Sequence, residues 1–257
     1  VSNDDELDFD YNRVKTSIYA AEVGFLKRSS FGSDYIFKAV IEAVELQNTS
    51  DRFITDLVPA SDEDFYSRKV FTAIEAEYNY ESFDNKINPS KGMTFLLNLG
   101  GNTNVDDLEK TFGYINSNLG FYNALSKNKK LVLKTDLRSQ FRIGNGFEFY
   151  QASNIGGNNG LRGYRNERFT GRNSLIGSAD IRYSLPSFKT ALVTLQIGLF
   201  VGGDVGRVWL KNDYSDKWHN DYGGGFWVAA AETISGTFNL FTGEDGLRFS
   251  FGFGFNF

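Results

Sequence analysis

The sequence predicts an all-β protein, specifically a transmembrane antiparallel β-barrel, on three observations. The chain ends with a phenylalanine at every second position, at Phe249, Phe251, Phe253, Phe255 and Phe257. Side chains alternate between the faces of a strand, so these rings share one face, as a strand between lipid and a polar lumen requires. The composition, 16% aromatic with 27 Gly and 3 Pro, favours strands and turns. No run of about 18 apolar residues occurs, which excludes a transmembrane helix.

Alternation with a period of two continues along the chain and predicts eleven strands. They lie at residues 14–27, 35–47, 68–83, 93–101, 112–124, 130–143, 174–185, 191–209, 223–231, 233–242 and 246–257. In the sixth, Leu133 and Leu137 face one way, and Lys134, Asp136 and Arg138 face the other. Because the second face is too charged for a packed core, the strands are expected to surround water or a plug. An aromatic belt at the outer membrane interface is expected to include Trp209, Trp218, Tyr222 and Trp227.

The predicted connections alternate in length. Short ones lie at residues 29–34, 84–91, 125–129 and 186–190, and longer ones at residues 48–67, 102–111, 144–173 and 210–222. Outer-membrane barrels have short turns on one side and long loops on the other. With the C-terminus in the periplasm, the longer connections are extracellular. The longest, residues 144–173, is called the long loop below.

This polarity places the start of the first predicted strand on the extracellular side, whereas a single-chain barrel should begin in the periplasm. Either residues 6–12, in which Leu7, Phe9 and Tyr11 alternate, supply a twelfth strand, or earlier strands are missing. We favour the interpretation that residues 1–13 are the remaining part of an acidic loop.

Charge and rare residues exclude several classes of function. The net charge of -5, with dispersed basic residues, gives no electrostatic footprint for nucleic acid. The chain has no cysteine, which excludes thiolate metal sites and a cysteine nucleophile. The single histidine, His219, is expected in a polar loop with no strand to hold a catalytic triad. Asp213, Asp216 and Asp221 of that loop are expected to be solvated rather than to bind a cation. We therefore expect no catalytic residue, no metal and no cofactor.

The long loop contains a glycine-rich segment at residues 154–172. A phosphate-binding loop is not expected, because the segment lacks a Gly-Lys-Ser/Thr ending and leads into a strand. Glycines allow the loop to fold tightly back on itself. Its arginines then need partners, either water outside or carboxylates in the lumen. These arginines are Arg162, Arg165, Arg168 and Arg172.

A tetrad in this segment, Leu161, Arg162, Gly163 and Tyr164, carries a resemblance to a known family. It is similar to the Val-Arg-Gly-Tyr/Phe tetrad of the BamA-like outer-membrane insertases and two-partner-secretion transporters, the bacterial surface antigen family. In that family the tetrad lies at the tip of a long extracellular loop that tucks into the barrel. Here leucine replaces valine.

Two further elements resemble the same family. Residues 202–206 are similar to its Phe-x-Asp-x-Gly element, with Asp204 and Gly206 matching and Gly202 in place of the phenylalanine. Asp180 resembles a lumen-facing acidic position at which glutamate is more usual. The five phenylalanines at the end of the chain are similar to the C-terminal assembly signal of outer-membrane barrels.

The resemblance implies a sixteen-strand barrel, of which residues 1–257 would form the C-terminal part. It also implies location in the bacterial outer membrane and insertion or translocation of polypeptides, without enzymatic activity. The expected partners are outer-membrane lipid, polypeptide clients, additional barrel strands or a second chain, and periplasmic accessory domains or proteins.

By parity Asp204 and Asp180 both point inward, so Arg162 could meet either. We hypothesise that Arg162 and Asp204 latch the long loop; the alternative is a solvated arginine. Gly252 and Gly254 fit a last strand that pairs only weakly with the first strand of the barrel, at a seam that can open, or equally a strand that simply closes the barrel.

Two other functions stay open: a barrel that anchors or exports an attached N-terminal enzyme such as a hydrolase, and a simple diffusion porin.

Overall fold

A computed structural model describes residues 8, 11–29, 32–59, 62–189, 193–211, 214–230 and 234–255. Over these ranges the chain is nearly all-β and is built around one large antiparallel sheet. None of the helices found in them is long and apolar enough to cross a membrane. The predicted all-β class is confirmed.

The described ranges contain eleven long strands, three short strands and two short α-helices. In chain order they are β1 (Thr16–Arg28), β2 (Ser33–Leu46), α1 (Phe53–Leu57), α2 (Glu63–Tyr66), β3 (Lys69–Phe83), β4 (Gly92–Asn104), β5 (Thr111–Ala124), β6 (Leu131–Ile143), β7 (Ser153–Ile155), β8 (Phe169–Gly171), β9 (Asn173–Ser184), β10 (Phe188–Lys189), β11 (Thr194–Trp209), β12 (His219–Ala230), β13 (Ile234–Gly243) and β14 (Gly246–Phe255). The eleven long strands match the predicted ones to within four residues at every end.

The long strands form a meander in which each pairs antiparallel with its neighbours along the chain. Their order is β1-β2-β3-β4-β5-β6-β9-β11-β12-β13-β14, so β1 and β14 are the edges of the described sheet. The short strands lie in connections: β7 pairs with β8 inside the long loop, and β10 pairs with the start of β11. The two longest connections, residues 47–68 and 144–172, lie at one end of the sheet, together with the two-residue connection between β13 and β14, and connections of at most nine residues lie at the other end. We call these the long-loop end and the short-turn end.

The predicted twelfth strand falls mostly outside the described residues. Of residues 6–12 the structure describes Asp8, Tyr11 and Asn12. These three form a turn, in which the Tyr11 amide donates to the Asp8 carboxylate at 3.0 Å and the Asn12 amide donates to the Asp8 carbonyl at 3.0 Å. The turn is held by local hydrogen bonds at the long-loop end, before β1 begins.

One face of the sheet, the outer face, is apolar and exposed. Phe249, Phe251 and Phe253 lie on it with 64%, 55% and 58% of their surface exposed. A continuous apolar face of this kind is what contact with lipid requires. Phe257 and the side chain of Phe255 lie outside the described part of the structure.

The opposite, inner face is largely polar. Lys134 and Asp136 of β6 form an ion pair at 3.0 Å, and Asn116 of β5 donates to Asn98 of β4 at 3.3 Å. The prediction for Trp227 was wrong: it lies on this inner face, 5% exposed, instead of in an outer aromatic belt. The even residues of β12 pair with outward-facing residues of β13 and therefore face outward themselves. Trp227 occupies an odd position in β12, so its side chain faces inward.

The turn between β3 and β4, residues 84–91, is the most highly hydrogen-bonded connection at the short-turn end among those described. The Asp84 carboxylate accepts hydrogen bonds from the amides of Ser90 at 2.9 Å and Lys91 at 3.0 Å, from the Ser90 hydroxyl, and from Lys129 at 3.1 Å. We call this segment the β3–β4 turn. One carboxylate therefore fixes the path of its backbone.

The β3–β4 turn is expected to loosen in acid. Partial burial acts to raise the pKa of Asp84, but the hydrogen bonds from Ser90, Lys91 and Lys129 outweigh it and hold the pKa below its ordinary value. The stabilisation is complete above the unfolded pKa of about 4 and is lost as the pH falls through the lowered pKa. Amide exchange at Ser90 and Lys91, corrected for intrinsic rates, should report the loss. In Asp84→Asn this acid-dependent step should be absent, and its persistence there would contradict the assignment.

Candidate functional site

The long loop turns back on itself and lies against the inner face of the sheet. It passes through β7 and a short 3-10 turn, Gly157–Asn159, and returns through β8. Gly160 follows the turn with a φ of 96°, a conformation that favours glycine. A Cβ at Gly160 would also lie 2.8 Å from a methyl carbon of Ile176 on β9. Glycine thus provides both the turn and the close approach that bring residues 161–164 onto the sheet.

Arg162 is the centre of the contact between loop and sheet. Its guanidinium donates two hydrogen bonds to Asp204, from Nε at 2.9 Å and from Nη2 at 2.8 Å. It donates two more to Asp180, from Nη1 at 3.1 Å and from Nη2 at 2.7 Å. The planar fork of arginine suits such paired contacts, and charge-assisted hydrogen bonds are stronger than neutral ones. One arginine thus joins the loop to both β9 and β11.

The charged groups in these contacts are largely buried. The Asp204 side chain has no exposed surface, and those of Asp180 and Arg162 are 13% and 17% exposed. A charge removed from water needs a partner and hydrogen bonds to its remaining atoms. The Arg162 backbone amide supplies another hydrogen bond to Asp204, at 3.0 Å.

Asp221 of β12 is a third carboxylate at this site, although solvation was expected for it. It is 3% exposed and accepts a hydrogen bond from the Gly163 amide at 2.9 Å. The expectation was wrong because β12 begins at His219 and carries Asp221 inward, opposite Asp204 of β11. Asp216 of the same predicted loop has a fully exposed side chain, and Asp213 lies outside the described residues.

The other tetrad residues seat the loop by packing. Leu161 and Tyr164 are fully buried in a cluster with Ile155, Phe169, Ile176 and Val208. The Tyr164 hydroxyl donates to the Asn220 carbonyl at 3.1 Å. A Cβ at Gly163 would lie 2.7 Å from the Cβ of Asp221 and 2.9 Å from the Gly243 nitrogen. Only a residue without a side chain fits at this point.

Gly206 lies on β11, two residues after Asp204. A Cβ there would meet the Leu175 carbonyl at 3.1 Å and side-chain carbons of Ile176 and Ile155 at 3.2 Å and 3.5 Å. Because Ile155 belongs to β7, the small residue lets the loop approach the sheet closely.

His219 belongs to the same packed region, and its predicted loop position was wrong. It is the first residue of β12, fully buried, with its ring stacked on Phe169 at a centroid distance of 3.6 Å. Neither ring nitrogen has a hydrogen-bond partner among the described residues. Its Nδ1 lies 3.7 Å from a carboxylate oxygen of Glu244. The ring therefore contributes chiefly by stacking.

Replacing His219 with phenylalanine is expected to preserve the seating of the loop, since the stack on Phe169 is kept and no hydrogen bond is lost. The phenyl ring is larger than imidazole, and overpacking a buried site costs about 1–3 kcal/mol, whereas removal of a buried aromatic ring costs about 3–5 kcal/mol. Proteolysis of the long loop and unfolding of the folded band in semi-native electrophoresis should therefore both stay closer to the wild type than in His219→Ala, which removes the stack. Equal damage in both variants would show that the imidazole has a polar role.

Two further arginine contacts tie the loop to the end of the sheet; a carboxylate partner was one of the two alternatives for Arg168, whereas the contact of Arg248 was not expected from the sequence. Arg168 donates from Nε to Asp245, in the β13–β14 connection, at 2.8 Å. Arg248 of β14 donates to the Tyr164 carbonyl and to Asn166 at 2.9 Å. The loop is therefore fixed to β9, β11, β12 and the last hairpin.

The described residues contain no group of three or more His, Cys, Asp or Glu side chains arranged to hold a metal ion. The three carboxylates of the site face a guanidinium and a backbone amide instead.

The apolar outer face, the polar inner face and the buried loop define a β-barrel protein of the bacterial outer membrane. The Omp85 superfamily domain matches residues 2–257, and the chain belongs to this superfamily. No curated protein matches its sequence.

The fold is similar to the crystal structure of BamA from Haemophilus ducreyi lacking POTRA domains 1–3, with a TM-score of 0.66 and 14% sequence identity. The superposition covers 95% of this chain and 55% of that one, so the chain spans about half the length of this relative. At this identity the match establishes the fold.

Proposed function

We propose that the chain forms the barrel of a non-enzymatic outer-membrane protein that inserts or translocates polypeptides. The observation that carries the proposal is the Arg162 fork, which holds the long loop inside the barrel through Asp180 and Asp204. A diffusion porin needs a permanently open lumen, and a loop held there by buried ion pairs obstructs it. Membership of the Omp85 superfamily supports the same function.

The long-loop end is proposed to be extracellular. β14 ends at the short-turn end, and outer-membrane barrels carry their short turns on the periplasmic side. The long loop then enters the lumen from outside, and Arg162 acts as its latch. Polypeptide clients and periplasmic accessory domains or proteins would act from the short-turn end.

The last strand is proposed as the place where a client strand is received. A Cβ at Gly252 would meet nothing within 4 Å among the described residues, so little side-chain packing holds this part of β14. Glycine in a strand interior weakens it, and an exposed strand edge can accept an added strand. The alternative is a plain closing strand.

Site-specific photo-crosslinking in living cells tests polypeptide handling. A photoreactive residue at Asn239, on the inner face of β13, is expected to form adducts with outer-membrane polypeptides during their assembly. The same residue at Leu240, one position along and 48% exposed on the outer face, should face lipid and gives the matched control. Steady ion conductance with no adduct at Asn239 would contradict the proposal and support a porin.

A further inference from the structure

The β3–β4 turn extends across the inner face instead of projecting away from the sheet. Ile87 packs against a cluster formed by Phe200, Trp227, Ala229 and Phe241 on β11, β12 and β13. Asn88 donates a hydrogen bond to the Ser184 hydroxyl, at the end of β9, at 3.0 Å. The turn connects β3 and β4, yet its tip contacts strands in the distant half of the sheet.

The turn is held in a fixed shape. Asn85 accepts hydrogen bonds from the amides of Ile87 and Asn88, both at 2.9 Å. Pro89 and Ser90 are buried, and the Asp84 hydrogen bonds close the base of the turn. A segment fixed in this way presents Ile87 and Asn88 with little further loss of conformational entropy.

The cluster beneath Ile87 also supports the latch. The Arg162 guanidinium lies 4.0 Å from the ring centre of Phe241, and the rings of Phe241 and Phe200 stack at 6.4 Å. The long loop therefore contacts this cluster from the long-loop end and the β3–β4 turn from the short-turn end.

We propose that the β3–β4 turn is a second closure of the lumen, at the short-turn end, in series with the long loop. Two closures in series make a specific prediction about conductance. Opening either one leaves the other limiting, and only opening both allows ions to pass freely. This inference concerns closure of the lumen and does not depend on whether the protein handles polypeptides.

A disulfide across the contact tests the placement of the turn. Residues 1–257 contain no cysteine, so Asn88→Cys with Ser184→Cys introduces a single possible bridge within them. We expect it to form readily in the protein purified from outer membranes. The matched control pairs Ser184→Cys with Lys86→Cys, an exposed position on the same turn. A yield for the Asn88 pair no higher than for the control would overturn the proposal.

Conductance in planar bilayers then tests closure. The cysteine pair is placed in a variant whose residues 156–168 are replaced by two glycines, which removes the latch and retains the pairing of β7 with β8. We expect low conductance when the bridge is oxidised and a several-fold rise when the turn is opened instead, by replacing residues 85–90 with two glycines. With the intact loop, the same replacement should change conductance little. Equal conductance of the bridged and the shortened turn without the loop would show that the turn closes nothing. If the shortened loop prevents folding, the disulfide yield in the intact protein decides.

Discussion

Arg162→Ala is expected to release the long loop from the inner face of the barrel. The substitution leaves Asp180 and Asp204 facing each other without the guanidinium that now satisfies both. Breaking a buried ion pair by removing one partner costs about 3–5 kcal/mol. The loop should therefore become susceptible to protease added from the extracellular side, and the folded form should unfold at a lower temperature in semi-native electrophoresis.

Arg165→Ala provides the control, because Arg165 lies three residues away in the same loop, carries the same charge and is exposed. Because its side chain is exposed, Arg165→Ala should cost the loop much less protection from protease than Arg162→Ala does. Asp204→Ala should resemble Arg162→Ala. The loss of stability in the double variant should be clearly smaller than the sum of the losses in the two single variants. Costs that simply add would show that the two residues act independently and would remove the basis for a latch.

Gly163→Ala is the second substitution with a large expected effect, although it changes no charge. The added methyl carbon would lie 2.7 Å from the Cβ of Asp221 and 2.9 Å from main-chain atoms of residues 242 and 243. Backbone atoms cannot yield as a flexible side chain can, and overpacking of this kind costs about 1–3 kcal/mol. The loop should lift from β12 and β13, and proteolysis of residues 156–168 should accelerate.

Gly101→Ala makes the same chemical change on the outer face of β4, where an added Cβ meets nothing within 4 Å among the described residues. Its proteolysis and thermal unfolding should match the wild type or show a slight gain in stability. Equal behaviour of the two alanine variants would mean that loop seating does not depend on the close approach at Gly163.

The strands could be predicted from the sequence because alternation is a local property. In a strand between lipid and a polar interior, apolar and polar residues alternate between odd and even positions. The same parity correctly assigned Asp180 and Asp204 to the inner face. That Arg162 reaches both aspartates at once could not be predicted, because it depends on the path of the loop and on the spacing of β9 and β11. Both are tertiary properties.

His219 and Asp221 show where local reasoning failed. The start of β12 contains mainly polar residues, so its composition resembles a loop, and the alternation that defines a strand is not visible in hydrophobicity. Pairing with β11 extends the strand to His219 regardless of this composition. For Arg248 a usable signal existed: it occupies an inner-face position of the last strand, where a charge must find a partner.

The partners of the long loop are spread widely along the chain. Arg162 lies 18 residues from Asp180 and 42 from Asp204, whereas Gly163 lies 58 residues from Asp221. Arg168 lies 77 residues from Asp245, and Arg248 lies 84 residues from Tyr164. The chain entropy lost on closing such segments grows only slowly with their length, so the distant contacts remain affordable. The seating of the loop is therefore complete only when the last hairpin is in place, because Asp245 and Arg248 belong to it.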